Sequence, residues 1–275
     1  MTRINNRMNS VAINLEPDEL ECELLRHAPR NRSDGGVYAI TEQARDAILN
    51  RKPLKVIVLT ADIRGSTRIM LNSIDLLEYA ETIDDFVSDF RTVLSHQQGW
   101  FDKFTGDGFI CYWLVDEDHT EHCETVLSFA VTVMQIFRKF YMPTLCGNLP
   151  FQPTGVGLSI GIDVGECLVT RIAGDLTVIG HAVVGSVRMC DAARQPFQVL
   201  LHSDAARHMS QRGQKMKGRA TDEVTYTAAP ATVGTKDCPD GVAVVEIRFA
   251  SNGQDVFPES LLPKLSTQAR RARSR

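Results

Sequence analysis

Apolar positions along this chain fall into short continuous runs and into spacings of three and four, which predict strands and helices in a definite order. Lys55 to Thr60 is a β-branched run suited to a buried strand, and it ends in Ala61-Asp-Ile-Arg-Gly-Ser-Thr67. Leu76, Ala80, Ile83, Val87, Phe90 and Leu94 then trace one face of a helix, with Ser73 as a candidate N-cap and Gly99 beyond its end. Trp100 to Phe104 and Phe109 to Leu114 predict two strands joined through Gly106-Asp107-Gly108, a tight hairpin with Asp107 at its tip. Val126, Phe129, Val133, Ile136, Phe137 and Phe140 predict the buried side of a second long helix. Further on, Val156 to Ile162 and Glu166 to Ile172 are expected as paired strands, Val183 to Ala193 as a helix, and Phe197 to Leu201 as another strand.

The order strand, helix, strand, strand, helix, strand predicts an α+β fold around a ferredoxin-like palm, βαββαβ, here with extra C-terminal strands. The expected organisation is an N-terminal extension at 1–53, the main domain at 54–250 and a basic tail at 251–275. In the extension, Leu20, Leu24 and Leu25 suit one short helix, and Thr41 to Arg51 another that Pro53 ends. Asn31 to Gly36 is polar and glycine-containing, as in a loop. After Leu262 the tail carries Lys264, Arg270, Arg271, Arg273 and Arg275 without an acid, which suits a solvated disordered end or a contact with acidic lipid or nucleic acid.

Composition narrows the function. A formal net charge of −4 argues against a stable nucleic-acid partner, which needs a broad basic surface. No apolar run is long enough for a membrane span, and the polar N-terminus lacks a signal-peptide core. The seven cysteines are scattered without a CxxC pair, so they predict reduced thiols in the cytoplasm and no zinc site. Cys111 and Cys190 have apolar neighbours and read as packing residues.

The candidate chemistry lies in two aspartates. Asp62 ends a buried strand, and Asp107 tips a hairpin. Either one alone is an ordinary turn residue. If the first strand lies beside that hairpin, however, the two carboxylates converge and repel, and the arrangement calls for cations. A pair of Mg²⁺ or Mn²⁺ ions is the usual device for displacement at phosphorus. Gly65, Ser66 and Thr67 then lead into a helix and offer N–H groups to phosphate oxygens.

These segments resemble the class III adenylate and guanylate cyclases. Val56 to Thr67 resembles that family's first metal motif, a strand ending in Asp-Ile-x-Gly-(Phe/Ser)-Thr, and Gly99 to Gly108 resembles its second, Gly-x-x-x-Lys-x-x-Gly-Asp. Gly155 to Gly165 is similar to the strand and turn found mid-domain, and Leu176 to Met189 to the stretch that contacts base and transition state. The resemblance covers roughly residues 54–248 in unbroken order. It implies two divalent cations held by Asp62 and Asp107, with the Ile63 carbonyl as a further ligand. It also implies Arg188 as the transition-state arginine, Lys103 and Thr177 as the base-reading pair, and Lys236 as a late lysine approaching phosphate. In the family each site forms between two subunits, so a head-to-tail homodimer acting on a nucleoside triphosphate is implied.

The chain departs from the family at Val184, where a ribose-orienting asparagine is usual, and at His181, where an aspartate is usual. Its base pair of Lys103 and Thr177 differs from the lysine–aspartate and glutamate–cysteine pairs that purine-selective members often use. Many bacterial adenylate cyclases tolerate threonine there, so ATP survives as a substrate. Lys103 is a pure donor and uracil's carbonyl oxygens are pure acceptors, whereas adenine and cytosine present amines that need an acceptor from Thr177 or backbone. With no receptor or membrane module recognisable, the chain looks like the pyrimidine cyclases of bacterial Pycsar antiphage defence, whose cyclic UMP or cyclic CMP triggers an effector. The expectation is UTP over CTP. The rivals are an adenylate cyclase and a domain that binds nucleotide without turnover.

Overall fold

The computed structural model describes residue 24 and residues 40–115, 121–203, 205–207, 217–221 and 224–251. Leu20, Leu25, the 31–36 loop and the basic tail lie outside the described residues.

Strand β1 (Leu54–Arg64) is the centre of the fold, with β3 (Gly108–Leu114) and β4 (Gly157–Ile172) antiparallel on its two sides. Its β-branched run is buried because both faces of the sheet are covered there. Helix α1 (Glu42–Leu49) precedes it, capped by Thr41. After β1 come α2 (Ser66–Asn72), α3 (Leu76–His96) and the edge strand β2 (Trp100–Phe104), which pairs with β3. Helix α4 (Glu121–Ile136) runs through a π-helical turn (Phe137–Tyr141) into α5 (Met142–Gly147). Strand β5 (Asp175–Gly180) folds back on β4, and α6 (His181–Ala192) leads to β6 (Val199–His202). Strands β7 (Lys217–Thr221), β8 (Val224–Val233) and β9 (Val242–Ser251) extend the sheet. The order is β2-β3-β1-β4-β6-β9-β8-β7, with β5 on β4. Its β2-β3-β1-β4 portion is the split βαββαβ palm, and the extra strands follow β6, as the pattern predicts.

Two apolar layers sandwich the sheet. On one face α3, α4 and the π-turn bury Phe86, Phe90, Phe129 and Phe137 against Leu59, Cys111 and Trp113 of the strands. On the other, Val56, Val58 and Tyr112 pack with Val169, Val178, Ala182, Ile48 and Leu24. Part of the N-terminal extension therefore sits on the domain. The predicted buried side of α4 is buried at all six positions.

Two expectations change. The N-cap of α3 is Asp75, not Ser73: its Oδ1 accepts from the N–H groups of Leu77 (2.8 Å) and Glu78 (3.3 Å). Buried Asn148 fixes that choice by accepting from Asp75 N (2.9 Å) and donating to Asp75 O (2.6 Å), while Ser73 closes α2. Second, the segments expected at Val156–Ile162 and Glu166–Ile172 are not partners: from Gly157 onward both belong to one sixteen-residue strand. Gly161 serves close packing rather than a turn. A Cβ there would lie 2.1 Å from the Ser186 carbonyl oxygen of α6.

Candidate active site

Asp62 is the ninth residue of β1 and sits opposite Gly108 of β3 and Ser159 of β4. The β2–β3 turn is tied to it by the Ile63 N–H, which donates to the Asp107 carbonyl at 3.2 Å. Gly106 turns the chain at φ +101, where a side chain would be strained. Gly108 permits the close approach, since a Cβ there would lie 2.4 Å from the Ala61 carbonyl oxygen. The result brings the Asp62 and Asp107 carboxylates together.

Burial pushes the Asp62 carboxyl up to about 6, and the neighbouring Asp107 adds to the rise. Arg64 offsets it only partly, with Nη1 4.0 Å from Asp62 Oδ2. The Arg64 guanidinium is engaged elsewhere: Nε donates to Ser159 Oγ at 2.8 Å and Nη2 to the Cys190 carbonyl of α6. The Ser66 hydroxyl donates to Asp107 Oδ2. Gly65, at φ +80, opens α2 and places Ser66 buried and Thr67 exposed in its first turn. Ile63 itself is buried.

The donor set is hard oxygen at close quarters with incomplete neutralisation, which fits a divalent cation. Among the described residues no third His, Cys, Asp or Glu joins the pair to make a protein-only metal cage. Such a cation would take its remaining ligands from phosphate and water.

Two further groupings involve the other sequence-predicted residues. Lys103 Nζ of β2 donates to Thr177 Oγ1 of β5 at 3.1 Å. Arg188 of α6 is paired with Asp237, Nε to Oδ2 2.5 Å, without hydrogen-bond geometry at Nε. Asp237 lies in the turn between β8 and β9, next to exposed Lys236. The structure thus joins Asp62 with Asp107 and Ser66, Lys103 with Thr177, and Arg188 with the turn that carries Lys236. Sequence reasoning missed Arg64, Asp102 and Asp237. Of these only Arg64 carried a signal, as the variable residue inside the Asp-Ile-x-Gly motif.

Residues 50–227 match the family model of the adenylate and guanylate cyclase catalytic domain. The chain belongs to that family. The fold of this cyclase domain is also that of solved cyclases. It is similar to the guanylyl cyclase Cya2 (20% identity, TM-score 0.57, 75% of this chain and 98% of that one). It is likewise similar to the adenylyl cyclase CyaB from P. aeruginosa (15%, 0.59, 74% and 98%). A third similar structure is the dimeric guanylyl cyclase domain of the RhoGC fusion protein from Blastocladiella emersonii (13%, 0.53, 70% and 96%). No curated protein matches the cyclase chain. Among the described residues no helix is long and apolar enough to cross a membrane.

The β4–β5 ribbon of the cyclase domain shows apolar side chains to solvent: Leu168, Ile172 and Ile179 are all exposed. Leu168 and Ile179 face each other across the β4–β5 ladder, and by strand alternation Thr170 and Thr177 share their side.

Proposed function

We propose that this cyclase converts a pyrimidine nucleoside triphosphate, UTP in preference to CTP, into the 3′,5′-cyclic monophosphate and pyrophosphate. The ribose 3′-oxygen bonds to the α-phosphorus, the bond from that phosphorus to the α–β bridging oxygen breaks, and the hydroxyl proton passes to solvent. Asp62 and Asp107, with the Ile63 carbonyl, would hold two divalent cations, Mn²⁺ or Mg²⁺. Bound there, they supply acidity to the attacking hydroxyl and charge for the departing pyrophosphate. The first-turn amides at Gly65, Ser66 and Thr67 donate hydrogen bonds to the triphosphate oxygens. Arg188 gives forked, permanently charged contacts to the α-phosphoryl group, and Lys236 adds a cation from the neighbouring turn.

The observation that carries the choice of base is the Lys103–Thr177 hydrogen bond. An ammonium has only donors, so Thr177 must act as acceptor toward it. The threonine hydroxyl then has its hydrogen to give, and with one of its two lone pairs taken by the ammonium the pair meets the base chiefly with donors. That face suits the 4-oxo group of uracil and opposes the amines of cytosine and adenine. Guanine also offers an oxo group. The pyrimidine choice over guanine is supported by the altered pocket, with Val184 at the usual asparagine position and Lys103–Thr177 in place of the glutamate and cysteine used for guanine. On that reading the product is a messenger for an effector in antiphage defence, made in the cytoplasm.

Each site is proposed to form across a head-to-tail homodimer, with cations on one subunit and Arg188, Lys103 and Thr177 from the other. The exposed apolar surface beside Thr177 supports this, since such a patch on a soluble domain marks an association surface. Incubation with each of the four NTPs and Mn²⁺, with products weighed by mass spectrometry, is expected to give mainly cyclic UMP. Cyclic AMP or cyclic GMP alone would sink the pyrimidine reading, and bound NTP without pyrophosphate release would make the domain a sensor. Mixing inactive Asp62→Asn and Arg188→Ala chains is expected to restore about a quarter of wild-type activity, because half the dimers are mixed and each has one intact site. No recovery on mixing would place both groups in one chain.

A further inference from the structure

Strand β2 loses register against β3 between Phe101 and Lys103, which leaves Asp102 as a bulged residue. Bulges re-aim side chains, and here two consecutive residues, Asp102 and Lys103, both reach β5. The Asp102 side chain is wholly buried. Its Oδ1 accepts from the Val178 N–H at 3.1 Å, one residue after Thr177. Its Oδ2 lies 3.3 Å from Lys103 Nζ and has no directed hydrogen bond, because the ammonium is aimed at Thr177. Among the described residues β2 pairs only with β3 and β5 only with β4, so no backbone ladder there joins β2 to β5. The side chains of Asp102 and Lys103 bridge the two strands instead.

A buried carboxylate is costly to keep without a specific partner. Lys103 is half-exposed on a flexible four-carbon stem and would otherwise sample many rotamers. We propose that Asp102 is the positioning residue of the base-reading pair, holding the Lys103 ammonium against Thr177 so that both present donors to the base. This rests on the cyclase reading and its base subsite, and deepens it by naming what sets the polarity of that subsite.

The carboxylate acts in two ways. Its Oδ1 fixes the backbone at Val178 and so the height of Thr177 on β5. Its Oδ2 supplies the charge behind Lys103 that directs one N–H at Thr177 and leaves another for the substrate. Asp102→Asn removes the charge and can turn an amide N–H toward the ammonium, donor against donor. Lys103 is then released, and Thr177 regains a free acceptor that a 4-amino base can use. The signature is therefore a change in base preference, which general destabilisation does not produce.

The test is steady-state kinetics of the full-length protein and D102N with UTP and CTP in Mn²⁺. D102N is expected to raise KM for UTP about tenfold with a smaller fall in kcat, and to lower the UTP:CTP ratio of kcat/KM about tenfold. Thr177→Val is expected to lower the same ratio, and the double variant D102N/T177V to lower it no further, because both act through one pair. Should D102N not fold, Asp102→Glu, which keeps the charge but displaces it by one methylene, must still lower the ratio. Wild-type protein that cyclises none of the four NTPs overturns the underlying cyclase reading before any variant is made. Wild type preferring CTP or ATP overturns the donor-rich face. A UTP-selective wild type whose D102N or D102E variant keeps both KM and ratio overturns the role of Asp102 alone.

Discussion

Asp62→Asn is expected to cut cyclase turnover by about a thousandfold or more while making the metal-free protein harder to melt. The two effects share one cause. Asp62 is partly buried beside Asp107, and its carboxyl is pushed up to about 6 in the folded chain. An acid whose folded pKa exceeds its unfolded value binds more protons when native. Stability is therefore greatest below the unfolded pKa, falls as pH rises from 3.8 to about 6, and stays low at neutral pH. Asparagine has no charge to bury. At pH 7.5 in EDTA the variant is expected to gain about 1 kcal/mol, a figure already discounted for the solvent access of the group. Added Mn²⁺ is expected to raise the melting temperature of wild type and leave that of the variant almost unchanged. Pyrophosphate release and thermal melts with and without Mn²⁺ read both. A variant that keeps turnover, or that melts lower in EDTA, contradicts the pairing of these carboxylates as a cation site.

Gly161→Ala is expected to cost about 3 kcal/mol, through overpacking against backbone that has nowhere to go. The new methyl would meet the Ser186 carbonyl oxygen at 2.1 Å, the Cys190 nitrogen at 2.2 Å and the Met189 carbonyl carbon at 2.8 Å, all in α6. Since α6 also bears Arg188, a shift of about 1 Å there is expected to cost about a hundredfold in kcat/KM. Gly165→Ala is the control. Its methyl would sit 3.6 Å from the Ala182 Cβ, an ordinary contact, and is expected to change stability by less than about 0.5 kcal/mol. Urea unfolding of the two variants should separate them clearly. Equal midpoints would show that β4 and α6 are not held together at Gly161.

The palm was legible because its signals are local. Trp100–Phe104 is found at its predicted bounds, and the apolar stripe of α4 is buried as its spacing requires. The juxtaposition of Asp62 and Asp107 followed from one topological step, the pairing of β1 with β3. What local reading could not supply is longer in range. The Gly155 to Gly165 segment suggested a strand and a turn, whereas the missing side chain of Gly161 serves the approach of α6, a contact invisible without the third dimension. Leu176-Thr-Val-Ile-Gly180 was noticed only as a motif, although it is the true partner of Cys167–Arg171. Asp102 and Asp237 went unnoticed because an acid beside a lysine in sequence usually belongs to solvent. Only coordinates show one buried under Val178 and the other set against Arg188.

Strand β4 outruns its neighbour. It pairs with β1 from Gly157 to Cys167, and from there to Ile172 its ladder runs to β5. The stretch past Cys167 is thus a two-stranded ribbon, and such ribbons are marginal in water unless something lies against them. The inner side of this one rests on Val56, Val58 and Tyr112, but the outer side shows Leu168 and Ile179 to water. Its rigidity, and with it the fixed height of Thr177, is in that sense on loan, lowest in a dilute solution of single chains and greatest where a second surface closes over it.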